Sequence, residues 1–123
     1  MKLQAAHLVD AQRLWTRHMH MAKFGATARG GVDRQALSAE DIQAQKVLIG
    51  WGTELGLVPA TDAAGNLFLR LTGSEPEAAP VMTGSHMDSQ PTGGKFDGIY
   101  GVLAGLEAMQ AILDAGVVPR RSI

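Results

Sequence analysis

Cysteine is absent from the 123-residue sequence. Its absence excludes a disulfide framework, a thiolate metal site and a cysteine nucleophile. Any metal must therefore be held by His, Asp or Glu, a donor set that suits Zn²⁺, Mn²⁺ or Co²⁺. An excess of charge of one sign is also missing. The formal net charge is -1, so nothing points to nucleic acid or to an anionic membrane surface as a partner. No apolar run approaches the roughly 18 residues of a membrane span. The N-terminus, Met1-Lys2-Leu3-Gln4, has one Lys with no apolar core behind it, so no signal peptide is expected and a cytoplasmic protein is the default. Internal repeats and low-complexity tracts are lacking too. What remains is ordinary for a globular chain, with 46% hydrophobic and 19% charged residues, and long enough for one domain with a real core.

Along the chain, Leu3 to Phe24 is free of Gly and Pro and rich in helix formers. Leu8, Ala11, Trp15, Met19 and Ala22 recur at three- and four-residue steps, which predicts one helix stopped by Gly25. Ser38 followed by Glu40 and Asp41 reads as an N-cap with acids in the first turn. The second helix then runs to Leu55, with Ala44, Val47, Leu48, Trp51 and Leu55 inward and Gly56 as its C-terminal cap. Two short extended runs, Leu57 to Asp62 and Leu67 to Leu71, flank Gly65-Asn66 and predict a β-hairpin. Val81 to Ser85 reads as a short buried strand. A Gly- and Pro-rich loop, Ser89 to Phe96, precedes a helix from Gly98 to Ala115 with Val102, Leu106, Met109 and Leu113 on its face. Val117 to Ile123 is expected to lead into another strand, so Ile123 is an unexpected place for a domain to finish.

The segment that carries chemistry is Thr83 to Gly98. His86 lies at the carboxyl end of the predicted strand, where open α/β sheets place their sites. Asp88, two residues on, is close enough to hold the imidazole, since metal-bound His commonly donates its other N–H to a carboxylate. Asp97 falls at the predicted N-terminus of the third helix, and the intervening glycines let the loop fold back toward His86. One imidazole and two carboxylates thus converge. They read either as a metal site or as an Asp N-cap beside a surface His.

The run GSHMDSQPTGGKFDGIYGVLAGLEA, from Gly84 to Ala108, resembles the hydantoinase/carbamoylase branch of the zinc aminoacylase-carboxypeptidase superfamily. That branch includes N-carbamoyl-L-amino-acid hydrolases, allantoate amidohydrolases and bacterial β-ureidopropionases. Weaker resemblance extends over GATARGGVDRQAL, from Gly25, and over Ile49 to Leu71, around Asp62 to Leu67. The resemblance implies an α/β fold, the N-terminal part of a zinc-exopeptidase-like catalytic domain with a mixed sheet flanked by helices. Residues 1–123 would be that portion, with the rest of the catalytic domain and a dimerisation domain absent. It implies His86 as a ligand to one metal, Asp97 as the carboxylate bridging two metals, and Asp88 as the catalytic acid that supports His86. The cofactors implied are two divalent ions, zinc or else manganese, cobalt or nickel. The substrate would be a small ureido or amide molecule and the complete protein a homodimer. The family's Glu-Glu pair, two further His ligands and its substrate-holding Arg, Asn, Gln and His groups have no counterpart here. The 123 residues alone are expected to be inactive, and prone to associate through surfaces left uncovered.

Two other functions fit less of the sequence. A peptidase or N-acyl amino acid deacylase of the same superfamily would share the metal site. A short non-catalytic binding module is the third reading. Among other candidates, His18 and His20 point to different sides of a helix and are expected to be exposed rather than paired ligands. His7 is expected at the surface, and Trp15 and Trp51 in the core. Gly101 and Gly105 are expected to allow close packing of the third helix on the sheet. Lys95 is expected to be solvated.

Overall fold

The long first helix is interrupted. A computed structural model, which describes residues 4–123, has a 3₁₀ turn over Gln4–Leu8 followed by a separate helix α1, Ala11–Met21. The predicted helix start at Leu3 lies outside the described residues. The break is Asp10, whose extended backbone (φ -108°, ψ 104°) lets its carboxylate accept the Arg13 N–H. That cap opens a new helix where periodicity alone would have run straight through.

Helix α2, Ala39–Glu54, is capped by Ser38, whose hydroxyl accepts from Asp41 N. It closes at Gly56, which adopts φ 78°. The hairpin follows as β1, Val58–Thr61, antiparallel to β2, Leu67–Arg70, with Val58 opposite Arg70 and Thr61 opposite Leu67. Asp62 sets its turn by accepting from Ala64 N, Asn66 N and Asn66 Nδ2. The Asn66 side chain contributes most to holding this carboxyl below its usual pKa. Helix α3, Ile99–Asp114, completes the named elements. The α/β character holds, although the sheet among the described residues is this small antiparallel pair rather than a mixed one.

Val81 to Ser85 is not the buried strand that was expected. Val81 and Met82 are 51% and 78% exposed, and no strand ladder forms there among the described residues. Val81 N donates to Ser122 O, while Leu71 and Ile123 exchange both backbone hydrogen bonds (2.8 and 3.0 Å). Residues 121–123 thus lie between β2 and Val81 in strand-like positions, without forming the predicted strand. A strand is stabilised by pairing along its length, and this segment has backbone pairing only at its start.

The core gathers Met21, Ala44, Leu48, Leu57, Leu71, Ile99, Leu103, Leu106 and Met109. The predicted inner faces of α2 and α3 are all within it or packed against it. Helix α3 is buried on more than one side, so Ile99 and Leu103 join the stripe read from periodicity. Trp51 packs against this core, but Trp15 is 51% exposed. Among the described residues, no helix is long and apolar enough to cross a membrane.

An ionic junction ties α1 to α3. Glu107 is buried and accepts from Asp10 N (2.8 Å), from Arg13 Nη2 (2.6 Å) and Nε (2.9 Å), and from Arg17 Nη1 (3.5 Å). The Glu107 carboxylate raises the Arg13 pKa, whereas burial lowers that of Arg17. Removing one partner of such a group leaves buried charge uncompensated. Glu107→Gln is expected to cost about 3 kcal/mol in urea unfolding. Because the group is buried, the loss should change little between low and high salt.

Candidate metal centre

The site begins where α3 begins. Gly98 has φ 72° and ψ -64°, and Ile99 N donates to Asp97 O at 2.8 Å. These are the marks of a positive-φ γ-turn, a rare and strained conformation. It reverses the chain at the helix start and leaves Asp97 outside the helix. The Asp97 side chain makes no capping hydrogen bond, which removes the N-cap reading of this carboxylate. It is 78% exposed and available to a ligand.

His86, Asp88 and Asp97 are brought together. His86 Nδ1 lies 2.9 Å from Asp88 O and 3.2 Å from Asp88 Oδ1, and Nε2 lies 3.4 Å from Asp97 Oδ2. The carbonyl can only accept, so Nδ1 carries a proton, and in the neutral tautomer this leaves the Nε2 lone pair facing Asp97. The backbone oxygen of Asp88 is therefore the nearer of two groups orienting the ring, with its carboxylate second. In that tautomer both facing atoms are acceptors and cannot hydrogen-bond to each other. Two donors each ~2.0–2.1 Å from one tetrahedral ion stand ~3.4 Å apart. The pair therefore fits a shared cation. Among the described residues, however, no group of three or more His, Asp or Glu is arranged to hold one.

The loop between His86 and Asp97 is pinned from the side. Val32 and Gly93 exchange backbone hydrogen bonds (2.9 and 2.8 Å). Ser89 N donates to Arg34 O and Ser89 Oγ accepts from Arg34 N. Arg34 itself is buried. Its guanidinium donates to Met21 O, Phe24 O and Met87 O, joining the end of α1 to the residue after His86. Burial lowers its pKa, opposed by Asp41 and Asp88. Behind His86 and Asp97, α3 lies hard against the segment preceding His86. A Cβ on Gly101 would meet Ser85 Cβ at 2.8 Å, and one on Gly105 would meet Thr83 Cγ2 at 3.2 Å. The close approach expected of these two glycines is present, against an extended segment rather than a sheet.

The sequence reading missed two groups. His18, expected to be exposed, is 2% exposed and contacts the loop beside Asp97. Nothing in its spacing signals this, because its partner is a backbone carbonyl 77 residues away. Arg34 gave no signal either, since a lone Arg in a Gly-rich loop reads as solvated. Thr92 adopts φ 58°, unusual for a β-branched residue, so the loop carries strain next to the site.

No family model matches the chain. Individual proteins do. An N-carbamoyl-L-amino-acid amidohydrolase of Rhizobium meliloti is 45% identical over 115 residues, covering 94% of this chain and 28% of the relative. An allantoate amidohydrolase of Bacillus subtilis is 36% identical over 103 residues, 84% of this chain and 25% of the relative. The crystal structure of an amidase of the hydantoinase/carbamoylase family from Burkholderia vietnamiensis superposes with a TM-score of 0.93 at 48% identity, over 98% of this chain and 29% of that one. Relatives and structural neighbour alike are amidases or amidohydrolases. Within that class, the chain belongs to the hydantoinase/carbamoylase family. It spans about 28% of the length of the Rhizobium relative.

Proposed function

We propose that the complete protein hydrolyses a linear C–N bond of a ureido acid, such as an N-carbamoyl-L-amino acid, allantoate or β-ureidopropionate. The reaction would take place at a two-metal centre to which this chain contributes His86 and Asp97. Residues 1–123 are on this reading the N-terminal portion of the catalytic domain. The general base, the other ligands and a dimerisation domain lie outside them. The chain alone is inactive, and the complete enzyme is a cytoplasmic homodimer.

The observation that carries the proposal is His86 Nε2 lying 3.4 Å from Asp97 Oδ2, with Nδ1 held by Asp88. Asp88 fixes the tautomer and ring angle, so Nε2 is presented without reorganisation. Asp97 sits outside the helix with both oxygens unclaimed by caps, which suits a carboxylate shared between two ions. When bound, divalent ions supply Lewis acidity that polarises the ureido carbonyl and makes water more acidic. The names of the relatives support a ureido substrate over a peptide.

The test is metal depletion of the complete protein, followed by restoration with zinc, manganese, cobalt or nickel. Hydrolysis of N-carbamoyl-L-amino acids, allantoate, N-acyl amino acids and dipeptides would be followed throughout. Activity on a ureido acid is expected to fall with the metal and return with it. Asp97→Asn should lower kcat/KM by at least about 10³-fold, several kcal/mol of lost transition-state stabilisation. Full activity after thorough metal removal would sink the metal reading. A preference for dipeptides or acyl amino acids would move the substrate to the wider superfamily.

A further inference from the structure

We propose that His18 is a positioning residue for the metal-binding loop, acting through Lys95 and Phe96 to hold Asp97 in place. The inference rests on the metal reading of His86 and Asp97.

Among the described residues His18 makes no ion pair with a carboxylate. Its Nε2 lies 2.9 Å from Lys95 O, two residues before Asp97. A carbonyl only accepts, so Nε2 carries the proton and Nδ1 does not. Nδ1 is buried and has no hydrogen-bond partner. The ring stacks on Phe96, with centroids 4.7 Å apart and planes at 15°. Trp15, one turn earlier on α1, also stacks on Phe96, at 6.1 Å and 29°. Residues three apart share a helix face, so α1 presents a pair of rings and one N–H to the two residues just before Asp97. This also explains why Trp15 is exposed: its partner is the loop and not the core.

The unpartnered Nδ1 is the informative atom. A buried leucine would fill this space without a stranded acceptor, whereas a histidine leaves one unsatisfied. The group that needs a histidine here is the Lys95 carbonyl, which would otherwise lose its donor. Neutrality suits that role. Burial pushes the His18 pKa down, Arg34 and Lys95 push it the same way, and the bond to Lys95 O opposes them. Beyond Asp97, the γ-turn at Gly98 fixes the exit of the loop. The clamp on Lys95 and Phe96 fixes its entry, so the carboxylate is held from both ends. Loss of a contact that supports a metal ligand typically weakens metal binding about 10- to 100-fold.

The experiment uses the complete protein with His18→Leu, His18→Gln and Asp97→Asn. Zinc affinity is measured by chelator competition, amide exchange over residues 93–99 in the metal-free protein, and the midpoint of thermal unfolding. His18→Leu is expected to weaken zinc binding about 10- to 100-fold and to speed exchange in the loop. His18→Gln, which keeps an N–H able to reach Lys95 O, should restore most of both. A side chain that only filled space would shift the unfolding midpoint and leave glutamine worse than leucine. Should His18→Leu fail to fold, Phe96→Leu removes the stack and should show the same faster exchange. Wild-type zinc affinity and exchange in His18→Leu, with affinity lost in Asp97→Asn, would overturn the clamp alone. If Asp97→Asn keeps wild-type affinity, the metal reading falls, and the loop exchange of the leucine and glutamine variants decides the clamp by itself.

Discussion

Gly98→Ala is expected to abolish divalent-metal binding at the proposed site of His86 and Asp97, and with it the hydrolysis proposed for the complete protein, while most of the fold survives. Two effects coincide at this residue. The first is conformational: φ 72° with ψ -64° is a γ-turn geometry that an L side chain adopts only at a cost of about 1–3 kcal/mol. The second is steric: a Cβ at Gly98 would land on the ring of His86 itself. The turn could relax to spare the backbone, but Asp97 then swings away from Nε2. Alternatively the ring could move to spare the turn, breaking its bond to Asp88 O. Either response separates the two ligands. A displacement of about 1 Å at a catalytic centre costs on the order of 10²-fold in rate, and here it falls on the two residues proposed as metal ligands. Zinc titration followed by calorimetry, with the nuclear magnetic resonance shifts of the His86 ring, would check this. Wild-type zinc affinity in Gly98→Ala would show that the γ-turn is not needed. Gly101→Ala is the informative neighbour, because its Cβ meets Ser85 one step back from the ligand. It should weaken packing more than it weakens binding.

Gly98 carries no local signature of a hinge. In sequence it reads as the first residue of a helix, and that helix is where it was expected. Local patterns carried the caps at Ser38 and Gly56, the hairpin around Gly65-Asn66 and the inner faces of α2 and α3. Each depends on neighbours a few residues apart. They also put His86 at a strand end, Asp88 just after it and Asp97 at the start of the third helix, with a glycine-rich loop between, so their convergence was legible as a possibility. What could not be read was anything set by partners far along the chain. Asp10 breaks the first helix partly because its N–H meets Glu107. Val81 to Ser85 has strand composition, but the described residues give it a backbone neighbour only at Val81. Trp15 lies on the predicted apolar stripe, yet its partner is Phe96. His18 and Arg34 look like surface polar residues because the carbonyls they serve carry no side-chain signature. The chemical identity of the site was local, whereas the machinery that holds it is long-range.

Arg34 is the part of that machinery with the largest expected effect on stability. Arg34→Ala should cost about 4–5 kcal/mol, at the upper end of single substitutions. The guanidinium is buried and donates to three carbonyls, those of Met21, Phe24 and Met87. Hydrogen bonds from a charged donor contribute about 1.5–3 kcal/mol each. The Met21 carbonyl closes α1 and the Met87 carbonyl follows His86, so one side chain joins helix end to site loop. Arg34→Lys is not a mild change here. Lysine carries a single point of charge with no fork, and cannot reach three oxygens on different segments with the same geometry. It should recover less than half of the loss. The substitution separates from Gly98→Ala by its signature. Unfolding by urea should shift strongly in Arg34→Ala and little in Gly98→Ala, whereas zinc binding by the fraction still folded should fail in Gly98→Ala and survive, weakened, in Arg34→Ala. If Arg34→Ala unfolded at the wild-type urea concentration, the carbonyls it serves would have to find donors from the loop itself, and the buried guanidinium would lose its structural role.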